Sequence, residues 1–215
     1  MRVHQSIRAV VRFAVVVATV TVAGPSWGAS VTINFDTTAT GSPLVAPKVF
    51  VDTTPLTQLY SSLGVHFSGQ GSILNAASNF GIQPRSGANF LAFNGSAGYG
   101  PPETISFDAP QARVSMFVAS GGPAADYSLQ AFDGTGALLN TTTLQLGSSN
   151  TYSLLSVDGA GIRSVRLSYA EMTLENSIVV DDLTFTTSTP LPSAATAGMV
   201  LMGGLGLRRR RRRAA

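Results

Sequence analysis

Few residues in this sequence are able to do chemistry. There is no cysteine, which removes disulfides, thiolate nucleophiles and cysteine-based zinc sites together. His66 is one of two histidines, the other being His4. A Ser-His-Asp hydrolase can be written around it, yet no Gly-x-Ser-x-Gly elbow accompanies it, and serines near one histidine are expected by chance. Six carboxylates, Glu103, Asp108, Asp126, Asp133, Glu171 and Glu175, offer material for a glycosidase pair, which needs two carboxyl groups about 5–10 Å apart across a cleft. Most of them sit beside Gly, Pro or Asn at predicted strand ends, where solvated turn duty suffices. Glycine-rich phosphate loops, dinucleotide fingerprints, EF-hand loops and metalloprotease helices are absent from the sequence. Asp181 carries the sharpest physical clue. If Leu183 and Phe185 face a core, a period of two puts Asp181 and Val179 on the same inward side and Asp182 outside. An unpaired buried carboxylate costs several kcal/mol, so Asp181 must find a partner.

The elements that position these groups read as strands. Val31, Ile33 and Phe35 alternate with polar residues, as do Ile105 and Phe107, then Val114, Met116 and Val118. Leu129 and Ala131, Val165, Leu167 and Tyr169, and Leu183 and Phe185 repeat the two-residue period of half-buried strands. Asp108-Ala109-Pro110, Gly121-Gly122-Pro123, Asp133-Gly134-Thr135-Gly136 and Asp158-Gly159 punctuate them with turn chemistry. The one helical turn expected is Leu56 to Leu63, after Pro55. The Gly-Ser-Asn-rich stretch from Gly69 to Gly100 has the weakest pattern and is expected to be a loop at one end of the domain. Arg85 is its lone cation, and Phe80, Phe90 and Phe93 flank it. Tyr99, between Gly98 and Gly100, is the best candidate for an exposed ring. Tyr99 and Arg85 are therefore the candidate ligand-binding residues, since sugar-binding faces offer rings for stacking and polar groups for orientation. The same aromatics could equally fill the core.

Many short strands without alternating helices give the fold class: all-β, an antiparallel jelly-roll β-sandwich spanning 29–189. The segments Tyr60–Phe67, Ile105–Pro110, Leu129–Gly134 and Ile178–Phe185 resemble the galactose-binding-like and carbohydrate-module jelly rolls. In that family the final strand often carries an Asp beside a structural calcium ion. The resemblance implies Asp181 as a calcium ligand, with Asp36 as a second and backbone carbonyls completing an oxygen set. The alternative is that Asp181 caps a turn or accepts backbone N–H donors near a strand end. Such an ion would stabilise the fold and catalyse nothing.

The two ends read as addresses. Arg2, Arg8 and Arg12 precede an apolar stretch from Phe13 to Ala23 and a small-residue exit at Ser26–Ala29, the layout of a signal peptide over 1–28 handled by signal peptidase. At the other end Pro190, Leu191 and Pro192 lead into an apolar run to Leu207, followed by Arg208, Arg209, Arg210, Arg211, Arg212 and Arg213. A helix of fifteen residues covers about 22 Å, so a transmembrane helix over 191–207 needs its edges recruited to cross about 30 Å of hydrocarbon. The arginines hold the C-terminus in the cytoplasm. This tail, 190–215, resembles the PEP-CTERM sorting signal of Gram-negative bacteria that make exopolysaccharide, with Pro-Leu-Pro in place of Pro-Glu-Pro. The resemblance implies processing near the motif by an exosortase, a membrane cysteine protease-transpeptidase.

Charge is segregated to match. Nine of the 14 cations lie in the two ends. The 29–189 stretch keeps Lys48, Arg85, Arg113, Arg163 and Arg166 against all 11 acids, a net charge of −6, which excludes a basic nucleic-acid-binding domain. The expectation is an exported, non-enzymatic protein of the cell envelope or extracellular matrix, anchored through its C-terminal helix and contacting glycan or exopolysaccharide. The alternatives are a purely structural surface protein and, behind it, a glycoside hydrolase or lyase.

Overall fold

Nine strands account for most of the described residues: β1 (Trp27–Ile33), β2 (Val65–Phe67), β3 (Ser72–Asn75), β4 (Asn89–Asn94), β5 (Glu103–Ser120), β6 (Ala125–Phe132), β7 (Leu138–Leu146), β8 (Ser153–Tyr169) and β9 (Ser177–Ser188). The structure is a computed structural model and describes residues 27–53, 55–75, 82–94, 102–120, 125–147, 151–169 and 177–188. Most of the expected signal peptide, Tyr99 and the whole expected sorting tail lie outside the described residues, and no described helix is long and apolar enough to cross a membrane.

Every pairing is antiparallel. The first layer runs β2, the first half of β5, the second half of β8, β6 and β7. The second runs β3, β4, β9, the second half of β5 and the first half of β8, with β1 on the far end of β9. Two long strands thus pass from one layer to the other. The crossings are register breaks between Ser106 and Arg113 of β5, opposite the β8 corner at Asp158–Ile162, where Gly161 takes φ 85°. A Gly or Pro at each corner permits the bend that moves a strand between sheets. The sequence showed β5 only as two separate alternating pieces and β8 only as its second half, because their corner residues look like ordinary turns.

Between the layers lies one apolar core, containing Ile105, Phe107, Val114, Met116, Leu129, Val165, Leu167, Leu183 and Phe185, the residues picked by the period of two. Phe107 and Phe185 meet across the layers at 5.2 Å between ring centroids. Burying each such side chain contributes about 1.5–3 kcal/mol. A second cluster forms on the outer face of the second layer from Phe50, Leu74, Ile82, Phe90, Ala92, Ala119 and Val179, with Tyr152 packed against it. β3, β4 and the start of β9 are therefore buried on both faces. That is why Phe90-Leu91-Ala92-Phe93 and Ile178-Val179-Val180 are continuous apolar runs rather than alternating ones.

Two expectations are corrected here. The 69–100 stretch contains β3 and β4, whose two-sided burial removed the alternation that marks strands elsewhere. The helical turn expected over 56–63 shrinks to a 3-10 turn at Ser61–Leu63, closed by Gly64 at φ 71°. Trp27 and Gly28 belong to β1, so the expected cleavage after Gly28 would trim two residues from a strand whose regular register with β9 begins at Ser30.

Candidate functional site

A bulge in β9 builds the site. Between Ser115↔Thr184 and Phe117↔Asp181, β5 advances two residues and β9 advances three. The extra residue resets the alternation. Ile178 and Val180 face the core before the bulge, and Leu183 and Phe185 face it after. Val179 and, with it, Asp181 point to the outer face, and Asp182, at φ 49°, turns its carboxylate the same way. The inward Asp181 and outward Asp182 expected from strict alternation are thereby corrected.

What both carboxylates meet is the segment Ile82–Asn89. Asp181, fully buried, accepts the Arg85 and Ser86 backbone N–H groups on Oδ2 at 2.8 and 3.0 Å and the Asp182 N–H on Oδ1 at 2.8 Å. Burial, helped by the neighbouring Asp182 charge, outweighs these donors and pushes its pKa up to about 6. Asp182 accepts the Ser86 hydroxyl at 2.7 Å and pairs with the Arg85 guanidinium. That guanidinium lies on the Phe117 ring, with Cζ 3.5 Å from its centroid, a cation–π contact. The Arg85 side chain stays 41 % exposed and that of Asp182 13 %, so the guanidinium opens to solvent and the carboxylate is mostly covered. The Tyr152 hydroxyl is buried beside the Arg85 backbone, and burial first, then Asp181, raises its pKa against the opposing Arg85 backbone contact.

The other end of the segment is held from just beyond β1. Phe35, at φ 61°, turns the chain so that Asp36 Oδ1 accepts the Ala88 and Asn89 N–H groups at 2.7 and 3.0 Å. Asp36 Oδ2 is buried without a partner beside Gly87. Asn89 adds side-chain bonds to the Phe35 and Leu44 carbonyls. The residues the sequence singled out thus meet in part: Asp181, Asp36 and Arg85 serve one segment. Ser86, Phe117, Tyr152 and Asp182 were missed, and the doubled Asp in an apolar run was the signal that a bulge turns both toward one side.

No protein-family model matches this chain, and no curated protein matches it in sequence. Among solved structures, it is similar to the K2 cleaved adhesin domain of Lys-gingipain (TM-score 0.46, 15% identity, covering 73% of this chain and 99% of that one). It is also similar to the K1 cleaved adhesin domain of Lys-gingipain from Porphyromonas gingivalis W83 (0.46, 14%, 76% and 100%). A third is the CBM22-1 xylan-binding domain from Paenibacillus barcinonensis Xyn10C (0.39, 14%, 69% and 100%).

The donor set does not fit calcium at Asp181. Its two oxygens face N–H groups, which favour an anion, whereas calcium takes six to eight oxygens. Asp36 grips a different part of the segment, and no group of three His, Cys, Asp or Glu side chains converges among the described residues. The alternative weighed beside calcium, an Asp that takes backbone N–H donors, describes the contacts of both residues.

His66 forms no serine-activating array. Nδ1 lies 2.8 Å from Gln58 Oε1 and Nε2 3.0 Å from Asp108 Oδ1, so neither ring nitrogen is free to take a serine proton. Glu103 is buried and accepts the Gly69 and Gly71 N–H groups, with burial raising its pKa. Asp133 caps its own turn through Thr135 and Ala137. An open, mainly apolar groove of about 410 Å³ lies between Leu44–Pro47 and Pro55–Leu59.

Proposed function

We propose that this chain is an exported, non-catalytic surface or matrix protein whose jelly-roll domain contacts glycan through the Arg85–Asp182 pair. One observation carries the reading. A half-exposed guanidinium and a carboxylate lie side by side over Phe117 on the outer face. Two fixed donors beside an acceptor complement the adjacent hydroxyls of a sugar ring, and the stacked geometry holds them ready. Export and sorting rest on the signal-like start and on the Pro190-Leu191-Pro192 tail with its arginine cluster. Signal peptidase, an exosortase-type transpeptidase and exopolysaccharide are the partners this reading names.

Two measurements test it. On a glycan array, Arg85→Ala in the full-length protein is expected to weaken binding about tenfold, the loss of roughly one charge-assisted contact. Arg85→Lys, which keeps charge but loses the fork, should fall between. An array on which the unsubstituted protein binds no glycan overturns the reading. For sorting, mass spectrometry of the protein recovered from the producing cell should show loss of everything after the Pro190–Pro192 region. An intact arginine tail would mean a permanent anchor instead.

A second reading, a structural surface protein without a ligand site, is favoured by a specific observation. Phe35, Tyr60, Phe67, Phe90, Phe93, Tyr127 and Tyr169 are all buried, and among the described residues no aromatic is found with the exposed large apolar side chains. Sugar-binding faces ordinarily present an open ring.

A further inference from the structure

Among the described residues β7 ends the first layer, hydrogen-bonded to β6 on one side only. Free strand edges are usually blunted by brevity, by charge, by proline or by bulges. β2 and β3 are three and four residues long, and β1 carries an irregularity between Trp27 and Ser30. β7 has nine residues, Leu-Leu-Asn-Thr-Thr-Thr-Leu-Gln-Leu, with no charge, no proline and no glycine. Its only register break lies beside the turn, where Leu138 and Asn140 flank the extra residue Leu139. From Asn140 to Leu146 the strand is regular and mostly exposed. The edge is also rigid, because Asp133 closes the β6–β7 turn through the Thr135 and Ala137 N–H groups.

We propose that this edge pairs antiparallel with the same edge of a second copy of the chain, about a two-fold axis at Thr143. Three observations select that occupant. First, the pairing is self-complementary: Thr143 faces Thr143, Thr141 faces Gln145, Thr142 faces Leu144, and Asn140 faces Leu146, with no side chain set against a like charge. Second, the backbone parity agrees. The Thr141 N–H is taken by its neighbour's Asn140 Oδ1 at 2.8 Å, which marks 141, 143 and 145 as the outward-pointing residues, since N–H and C=O of one residue point the same way. Centring on Thr143 makes 143–143 and the two 141–145 pairs the hydrogen-bonded ones, about four bonds by antiparallel geometry with the two Thr141 N–H groups still held by their own Asn140 side chains. Third, the charge map favours it. The 29–189 stretch is net −6, whereas β7 carries no charge, so the paired edges meet no like-charge repulsion along the strand. Cross-strand threonine pairs add a few tenths of a kcal/mol each. One strand pair makes a small interface, so a dense surface layer would populate it through local concentration.

Because the chain has no cysteine, a single introduced one can form a disulfide only with another copy. Cα atoms of a hydrogen-bonded antiparallel pair stand about 5.5 Å apart, inside the range a disulfide spans. Under mild oxidation of the purified full-length protein, Thr143→Cys is expected to give covalent dimer about tenfold faster than Thr40→Cys, a preformed pair raising effective concentration. Adding Thr141→Lys and Gln145→Lys to Thr143→Cys sets like charges opposite each other and should return the rate to the Thr40→Cys level. Equal rates at Thr143 and Thr40 mean random collision. Slow dimer at both means the edge takes no second copy, and an unchanged rate in the lysine variant means a contact elsewhere. Each of these results overturns the proposal.

Discussion

The unfolding free energy is expected to rise as pH falls from about 7.5 toward 5, and Asp181→Asn is expected to remove most of that rise. Asp181 has a folded pKa of about 6 against 3.8 for the free group. The folded state therefore binds the proton more tightly than the unfolded chain. Stability from this group is fully present below pH 3.8 and is lost as pH rises through about 6. At 1.4 kcal/mol per unit the span is about 3 kcal/mol, a large share of the stability of a domain. Glu103, buried and likewise shifted upward, acts with the same sign. Asp133, shifted downward by its turn donors, opposes them, but it is fully exposed. Asn at 181 keeps one acceptor for the Arg85 and Ser86 N–H groups and cannot titrate. Asp181→Ala instead leaves three N–H groups without an acceptor and should cost about 2–4 kcal/mol at every pH. Urea unfolding between pH 4 and 8 decides the matter: parallel profiles for the unsubstituted protein and Asp181→Asn would remove the buried-carboxylate account.

How far the sequence reached can be seen along β9. Leu183 and Phe185 read correctly as core, because alternation is a local property and holds within an unbroken run. The side of Asp181 did not, because it depends on one extra residue between Asp181 and Thr184, fixed by the length of the facing β5 segment. Register is a two-strand property, and a bulge is invisible in either strand alone. The same reason hid the corners of β5 and β8. Arg85 was found for being the lone cation of a polar stretch. Its partners were not found, because Phe117, Tyr152 and Asp182 reach it from three different strands or their approaches. The buried outer cluster had a signal in the continuous apolar runs of β4 and β9. What covers those runs, Phe50 and Ile82 from irregular segments, follows no period.

Gly87→Ala is expected to be the most damaging small substitution in the site, at about 3–5 kcal/mol. Gly87 holds φ 58°, where any Cβ costs about 1–2 kcal/mol. A methyl group there would also overlap the Asp36 carboxylate. Asp36 has little freedom to yield, since Oδ1 is tied to the Ala88 and Asn89 N–H groups and Oδ2 is packed in the interior. Displacing it breaks two hydrogen bonds to a charged acceptor, each worth about 1.5 kcal/mol or more. The shifted segment would then pull Arg85 from Asp182 and Phe117, so the glycan contact should weaken with the stability. Gly136→Ala supplies the comparison. Gly136 has φ 83°, yet nothing lies within 4 Å of its Cβ position, so only the backbone cost of about 1–2 kcal/mol remains. Equal losses in the two variants, measured by urea unfolding at one pH, would mean that Asp36 does not hold the segment. A loss two to three times larger at Gly87 is the outcome expected if the two carboxylates, one at each end, are what fasten Arg85 to the outer sheet.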